Sequence, residues 1–237
     1  MKTPLIYTPQ ASIAPEHLDQ HRRWYTTTHA PRLMGLGFYS CRMFDGEGTR
    51  WCNLYEIPGT EIFETPGYKH IGDSDVFMKL NISRFIDLNV TTYAQDRVLG
   101  SDGAVLPHVP TMGAPVLSYI RFDWSGMDSE LQQWLREAVW TGCSKATPVR
   151  TIRLLHRHSE HPQLKTNYPH WAAAIEWGHA QTPAQAQTAA QTDAAPRAAL
   201  EVALERSAKA LGSAASHVSH ETFRRRFGLV REDCFPD

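Results

Sequence analysis

The sequence predicts an α+β fold built from two fused ferredoxin-like halves, each with the element order β-α-β-β-α-β. Segments that alternate apolar and polar residues come in two sets of four, as the strands of two such halves would. Helical segments separate these strands at matching places. A pattern with tryptophan first and glutamate sixth is also shared, because WCNLYEI at 51–57 returns as WAAAIEW at 171–177. The repeated pattern indicates an internal duplication.

The first half is predicted to span residues 1–98. It begins with a β-branched and aromatic strand within 3–13, followed by a helix that opens at Pro15 and runs to about Leu33. Pro31 should kink or end this helix, because proline lacks a backbone donor and clashes with the preceding turn. After a β-hairpin, TEIFETPGYKHIGDSDVFMKLNISRFI predicts a short helix, a loop and a second helix, and DLNVTTYAQDRVL predicts a closing strand.

The hairpin is predicted by two alternating runs, FYSCRMF and TRWCNLYEI, which flank the turn-forming tetrapeptide DGEG. A turn centred on Gly46 and Glu47 would pair Cys41 with Cys52. One face then carries Tyr39, Cys41, Met43, Cys52 and Leu54, and the other carries Phe38, Ser40, Arg42, Trp51, Asn53 and Tyr55. We expect the first face in the core. The second mixes aromatic rings with donors and acceptors, as the lining of a small-molecule pocket does, and a slip of one residue would exchange the two faces.

The second half is predicted over residues 116–237, after a Gly- and Pro-rich linker at 99–115. Its strands are VLSYIRFDW, PVRTIRLLHRH, HWAAAIEWG and a segment within HVSHETFRRRFGLV, and its helices are DSELQQWLREAVW and APRAALEVALERSAKAL. The low-complexity stretch 180–195 is expected to be a surface loop. Each sheet has helices on one face only, so we expect the two sheets to cover each other inside the chain.

Composition excludes several classes of function. Lys plus Arg (24) and Asp plus Glu (25) nearly cancel, so no strong field attracts nucleic acid or anionic lipid. No segment has the apolar length of a signal peptide or a membrane span, which predicts a cytoplasmic protein with no membrane partner. The four cysteines are then expected to be reduced thiols, although Cys41 opposite Cys52 could form a cross-strand disulfide. No P-loop, GxGxxG, GxSxG or HExxH is present.

The segments WYTTTHAPRLMGLGFYSCRMF and WCNLYEIPGTEIFETPGYKH resemble the dimeric α/β-barrel superfamily, especially its EthD-like members. The resemblance covers about residues 3–97, and the second half only in element order and in the WAAAIEW pattern. The matching residues are Trp24, Tyr25, His29, Pro31, Gly37, Leu54, Tyr55, Glu56, Thr65, Pro66 and Tyr68, with Thr65 in place of a serine. The resemblance implies an intrachain barrel of the dimeric α/β type.

The resemblance also implies where a site would lie. In the superfamily, substrates commonly occupy a cleft between the sheet and its helices, bordered by a histidine at the end of the first helix. The second half has no counterpart of WYTTTH, so we expect one site per chain, in the first half. The superfamily includes cofactor-free monooxygenases, polyketide cyclases, lactone isomerases, dehydratases and haem-binding enzymes, so the fold alone does not choose among them.

His29 is the leading catalytic candidate, because an imidazole titrates near neutral pH and could move a proton to or from an enol or phenol. Tyr25 and Tyr55 are expected to orient the substrate. The candidates for substrate binding are Trp24, Arg42, Trp51, Asn53 and Tyr93. The alternative is that His29 only caps the helix C-terminus, and that the other residues form an internal salt bridge and ordinary aromatic packing.

His156 and His158 lie two apart on a predicted strand, so they share a face and could bind a metal or haem iron. No further ligand is placed by sequence, and we predict no metal site. Asp73 and Asp75 are interpreted as loop and helix-capping residues.

Three functions stay open on the sequence alone. The first is a cofactor-free enzyme that performs dehydration, isomerisation or cyclisation of a small aromatic or polyketide-like molecule. The second is a haem-dependent redox enzyme with a second-half histidine as iron ligand. The third is a non-catalytic ligand-binding or stability module, and a homodimer is possible for all three.

Overall fold

The computed structural model describes residues 3–146, 148–159, 161–162, 164, 166–178, 197–231 and 234. The predicted loop at 180–195 lies outside the described residues. The strands are β1 (Leu5–Ser12), β2 (Ser40–Asp45), β3 (Arg50–Ile57), β4 (Ile86–Leu99), β5 (Val116–Trp124), β6 (Val149–Ser159), β7 (Trp171–Trp177) and β8 (Ala215–Val230).

The helices precede or follow these strands in the predicted order. The α-helices are α1 (Pro15–Trp24), α2 (Ala30–Gly35), α3 (Pro66–Ser74), α4 (Val76–Asn81), α5 (Asp128–Trp134), α6 (Thr141–Ala146) and α7 (Arg197–Lys209). Two π-helical segments, Tyr25–His29 and Leu135–Trp140, join α1 to α2 and α5 to α6, and short 3₁₀ turns lie at Thr60–Glu64, Ile82–Arg84 and Gly212–Ala214. None of the described helices is long and apolar enough to cross a membrane.

The eight strands close into one antiparallel barrel in the order β1-β3-β2-β8-β5-β7-β6-β4. The first four strands are arranged β4-β1-β3-β2 and the last four β8-β5-β7-β6, and the pairs β2–β8 and β4–β6 join the two groups. Closure leaves no edge strand unpaired, so neither sheet needs a second chain to cover it. The predicted α+β barrel is confirmed.

The predicted register of the β2–β3 hairpin is wrong by three residues. Cys41 pairs with Tyr55 rather than with Cys52. The reason is the turn, which is longer than expected and uses Gly48, at φ +59°, for the left-handed position. The amide of Gly46 donates to the carbonyl of Arg50 at 2.7 Å and closes the loop.

An error of three residues also changes which side chains share a face. Ser40 and Arg42 point into the barrel, whereas Trp51, Asn53 and Tyr55 face the helices, so the expected mixed face does not exist. The two cysteines likewise separate, with Cys41 in the helix-facing core and Cys52 in the barrel interior. Both are free thiols, and the alternative of a cross-strand disulfide is wrong.

The first long helical stretch ends at Gly35, close to the predicted end at about Leu33, and Pro31 does not end it. Pro31 lies in the first turn of α2, where proline is tolerated. The π-helical segment Tyr25–His29 lies directly before α2, and its wider turn contains one residue more than an α-helical turn. His29 therefore lies inside a continuous helical stretch, and the interpretation of His29 as a cap at a helix C-terminus is wrong.

Apolar side chains form two cores outside the barrel, one under the helices of each half, and a third core inside it. The first-half helices cover a core that includes Tyr7, Tyr25, Phe38, Tyr55 and Phe63, and the second-half helices cover one that includes Phe122, Leu131, Trp134, Leu135 and Ile175. A third group fills the barrel interior and includes Ile6, Phe44, Leu54, Tyr93, Met112, Tyr119 and Phe223.

The chain between β4 and β5 crosses one end of the barrel and is held there by two buried glutamates. Glu56 accepts hydrogen bonds from Thr111 Oγ1 at 2.7 Å and from the Met112 amide at 3.0 Å. Glu176 accepts from the amides of Gly113 at 2.7 Å and Ala114 at 3.0 Å. These glutamates are the sixth residues of the two repeated segments WCNLYEI and WAAAIEW, so the shared pattern has a structural role.

Candidate active site

His29 lies at the rim of the first-half core, on the helix side of the sheet. Its side chain is 18% exposed, and its Nδ1 is 3.5 Å from Asp75 Oδ2. The ring packs against Trp24, with the ring centroids 4.4 Å apart. The Nδ1–Oδ2 contact is longer than a regular hydrogen bond, as contacts between catalytic groups often are before substrate binds.

Asp75 is fixed by two donors besides its contact with His29. Its side chain caps the N-terminus of α4 by accepting from the Met78 amide at 3.0 Å, as expected for a helix-capping residue. The indole N–H of Trp24 also donates to it, with 3.1 Å to each carboxylate oxygen. Burial raises the pKa of the Asp75 carboxyl, but the donors from His29, Met78 and Trp24 outweigh burial and the pKa lies below its usual value. Asp75 is therefore a carboxylate.

His29 is neutral at neutral pH. Burial lowers the pKa of the imidazole, and the nearby Asp75 carboxylate opposes this effect without cancelling it. Because Nδ1 faces the carboxylate, the ring proton belongs on Nδ1, and Nε2 is left as a proton acceptor. A histidine held in this state can act as a general base.

Tyr25 and Tyr55 form a buried wall next to this histidine. The ring centroid of Tyr25 is 6.0 Å from that of His29 and 6.2 Å from that of Tyr55. The exposed fractions are 0% for Tyr25 and 1% for Tyr55. Burial raises the pKa of both phenols well above the usual value, so both stay protonated. Tyr25 already donates to the Arg42 carbonyl at 3.0 Å, and it would have to exchange that bond to orient a substrate.

Trp51 and Asn53 face the same side of the sheet. Trp51 packs against His21, with 4.6 Å between the ring centroids, and against Phe85 at 5.2 Å. Asn53 is 3% exposed, and its Oδ1 has no hydrogen-bond partner among the described residues. An unpaired buried amide oxygen is the kind of group expected in a polar pocket rather than a dry core.

Arg42 and Tyr93 do not belong to this group, because both point into the barrel. The Arg42 guanidinium pairs with Glu56 at 3.0 Å and donates to Thr111 Oγ1 at 2.8 Å, which is the internal salt bridge of the alternative interpretation. Tyr93 lies in the barrel-interior core. The structure therefore brings together Trp24, Tyr25, His29 and Tyr55, with Trp51 and Asn53 on the same side of the sheet, and separates Arg42 and Tyr93 from them.

Sequence reasoning missed a second histidine on this side of the barrel. His161, from the chain between β6 and β7, has its Nε2 3.0 Å from the Tyr68 hydroxyl and packs 5.7 Å from the Tyr7 ring. Burial raises the pKa of Tyr68 to about 12 and lowers that of His161 to about 4, so a protonated phenol meets a neutral imidazole. No local pattern links these residues, because Tyr68 and His161 come from different halves.

The described residues contain no group of three or more His, Cys, Asp and Glu side chains that could hold a metal ion. His156 packs against Trp171 at 5.6 Å between ring centroids, and the exposed His158 lies 3.2 Å from Ser159 Oγ. The described histidines that are buried are His21 and His161, and both lie against aromatic rings on the first-half side of the barrel.

The sequence matches no protein-family model and no curated protein. Solved structures do match. An anthrone oxidase-like protein is 14% identical with a TM-score of 0.56, over 97% of this chain and 94% of that chain. A monooxygenase-like protein from Lactobacillus acidophilus is 11% identical with a TM-score of 0.51, over 97% of both chains.

A monooxygenase-like protein from Fusobacterium nucleatum subsp. nucleatum is 8% identical with a TM-score of 0.52, over 97% of this chain and 95% of that chain. At these identities the likeness shows the fold and not the activity. Each alignment spans both halves of the barrel. The chain therefore has the fold of the dimeric α/β-barrel type, with the whole barrel closed within one polypeptide.

Proposed function

We propose that the chain is a small-molecule enzyme in which His29 acts as general base and acid and Asp75 orients it. The observation that carries the proposal is the neutral, partly exposed imidazole facing a carboxylate that two further donors hold in place. The substrate class is an aromatic or polyketide-like molecule with an acidic C–H or phenol, since the surrounding side chains are mainly aromatic.

In this mechanism His29 Nε2 takes a proton from the substrate and leaves an enolate or phenolate. The imidazolium that forms is stabilised by the Asp75 carboxylate. Return of the proton to another atom gives isomerisation, loss of a β-hydroxyl as water gives dehydration, and attack of the enolate carbon on a carbonyl gives cyclisation. Trp24 and the wall of Tyr25 and Tyr55 would hold the substrate ring, while Trp51 and Asn53 support a polar pocket beside it.

An enolate is also the electron-rich species that reacts with molecular oxygen. Structural neighbours of this chain are described as anthrone oxidase-like and monooxygenase-like. The same His29-dependent deprotonation would serve both outcomes, so the assay must record oxygen consumption as well as product.

The proposal includes no resident cofactor. Its haem alternative is tested by reconstituting the purified protein with haem and recording the Soret band. A saturable band that depends on a single histidine would replace the acid–base proposal by a redox one.

We also propose that the two halves derive from one duplicated ferredoxin-like unit close to the EthD-like members. The matched strand orders, the two π-helical segments and the equivalent glutamates Glu56 and Glu176 support this. Homodimerisation stays a prediction, measured by light scattering.

The test is a substrate screen with aromatic acids, phenols, lactones and anthrones, using solvent-deuterium exchange, product formation and oxygen uptake as readouts. We expect His29→Gln to lower the rate about 10²- to 10⁴-fold, the usual contribution of a general base. The matched control is His70→Gln, because His70 is an exposed histidine on α3. Equal rates for the wild type and His29→Gln on a turned-over substrate would remove His29 from the mechanism.

The pH profile tests the role of Asp75. Since burial lowers the pKa of His29, the acid limb of kcat/KM should lie below the ordinary histidine value of about 6.5. Asp75 opposes that shift, so Asp75→Asn should move the acid limb further down in pH. An acid limb that stays in place in folded Asp75→Asn protein would show that Asp75 only caps α4.

A further inference from the structure

Among the described residues, three arginines are buried in the barrel interior, and one of them lacks a buried charge partner. Arg42 pairs with the buried Glu56 at 3.0 Å, and Arg153 pairs with the buried Glu176 at 3.0 Å. Arg121 is 0% exposed, and its described ion pair, at 2.6 Å through Nη1, is with Glu221, whose side chain is 30% exposed. Glu221 is also shared with Arg50, at 3.1 Å.

The unused atoms of Arg121 form one edge of the guanidinium. Its Nε and Nη2 have no hydrogen-bond partner among the described residues. This side-on edge is the one that binds both oxygens of a carboxylate in a fork. Arg153 gives the same edge to Glu176, where Nε at 3.3 Å and Nη2 at 3.0 Å both donate to Oε2. In Arg153 these two nitrogens have a carboxylate partner, and in Arg121 the same two nitrogens have none among the described residues.

Two hydroxyl groups next to Arg121 are also unpaired. The Tyr93 and Tyr119 hydroxyls are buried and have no hydrogen-bond partner within the described part of the chain. The guanidinium lies between two rings, 4.4 Å from the Tyr119 centroid and 4.2 Å from that of Tyr168, which fix its plane. Burial raises the pKa of Tyr93, and the nearby Arg121 opposes this, which places the phenol beside the guanidinium as a protonated donor. Four buried polar groups near one another thus lack a regular hydrogen bond within the described residues.

This part of the interior adjoins a surface depression. The depression has a volume of about 370 Å³ and is lined by Ser12, Gly46, Glu47, Arg50, Glu201, His220, Glu221, Thr222 and Phe223. Glu221 is both a lining residue and the ion-pair partner of Arg121, so one side chain links the depression to the buried guanidinium. The volume is within the range of small-molecule sites, at its lower end.

We propose that this end of the barrel binds a small organic carboxylate. The carboxylate group takes the Nε and Nη2 edge of Arg121 as a fork and accepts from the hydroxyls of Tyr93 and Tyr119. The organic part of the ligand extends toward the depression past Arg50 and Glu221. The site lies on the opposite face of the sheet from His29, so it is a second site and not part of the proposed catalytic one.

The experiment is calorimetric titration of the full chain in chloride-free buffer, with acetate and benzoate as probes and benzamide as the neutral control. We expect saturable binding of at least one carboxylate and none of benzamide. Tyr93→Phe should weaken that binding by about tenfold or more, because a hydrogen bond to a charged group is lost. The stability of ligand-free Tyr93→Phe should be equal to or higher than that of the wild type, because the hydroxyl has no described partner to lose.

Two further variants test the fork at Arg121 and the independence of this site from His29. Arg121→Lys keeps the charge but not the fork, and folded Arg121→Lys protein should bind the carboxylate more weakly than wild type. His29→Gln should bind it with unchanged affinity, so failure here and failure of the proposed function are independent results. The proposal is overturned if neither carboxylate binds at millimolar concentration, if Tyr93→Phe binds as tightly as wild type, or if a crystal soaked in benzoate shows only water at Arg121.

Discussion

His21 is a fully buried histidine with no hydrogen bond, and it should make the protein sensitive to acid. Both ring nitrogens lack a partner among the described residues, and the ring lies against Trp51 at 4.6 Å, Phe85 at 5.5 Å and Trp24 at 5.7 Å between centroids. Burial in this aromatic setting lowers the pKa of His21 from 6.5 to about 3. The folded state therefore keeps the imidazole neutral over most of the acid range.

The sign and size of the effect follow from proton binding. Between pH 6.5 and about 3, the unfolded chain binds a proton at His21 that the folded chain does not, so stability falls as the pH falls. At pH 5, roughly 1.5 units below the unfolded pKa, the loss is about 2 kcal/mol at 1.36 kcal/mol per unit. His161, whose pKa is lowered to about 4, adds a loss of the same sign.

The perturbation is His21→Leu, which removes the titrating group from a position of similar size. The unfolding free energy of His21→Leu and of the wild type is measured in urea at pH 8 and at pH 5. The decrease between the two pH values should be about 2 kcal/mol smaller in His21→Leu than in the wild type. The matched control is His70→Leu, which alters an exposed histidine and should keep the wild-type pH dependence. If His21→Leu and the wild type lose the same stability between the two pH values, His21 is not kept neutral by burial and the reasoning is refuted.

Two further predictions concern the segment held at the end of the barrel. Glu176→Gln should lower the unfolding free energy by about 3–5 kcal/mol, because Arg153 is left buried without its charge partner, whereas Glu205→Gln at an exposed pair should change it little. Met112→Ala should lower the unfolding free energy by about 2–5 kcal/mol, since Met112 is 1% exposed in the barrel interior. Met127→Ala should change it little, since Met127 is 63% exposed. Urea unfolding measures both, and equal losses in either matched pair would contradict the described packing.

The order of the elements could be predicted because each rests on a local pattern. The strands show alternation, the helices show apolar spacing, and Pro15 marks the start of the first helix. The register of the β2–β3 hairpin could not, because DGEG offers two glycines and the chain uses Gly48, not Gly46, for the left-handed position. The end of the first helix near Leu33 was predicted closely, but the effect of Pro31 was not, since a π-helical segment precedes it and the helix continues to Gly35.

The candidate site was predicted only in part. Trp24, Tyr25 and His29 follow one another in the sequence, so their proximity needed no knowledge of the fold. Asp75 was identified as a cap from its position before a helix, but its contact with His29 depends on how two distant helices pack, and no local pattern encodes that. Arg42 was assigned to the wrong side of the sheet by the register error, which shows how a turn of a few residues decides the face on which a side chain acts.

The segment from Thr111 to Ala114 gives the barrel a direction. Glu56 and Glu176 lie at the ends of β3 and β7, and they fasten this segment across that opening, with Met112 inserted between the strands. Arg50 at the start of β3 and Arg121 near the end of β5 lie toward the other opening. One opening of the barrel is thus covered by the chain itself. A ligand of the proposed carboxylate site would enter and leave at the other opening, so binding of one ligand would require release of the ligand before it.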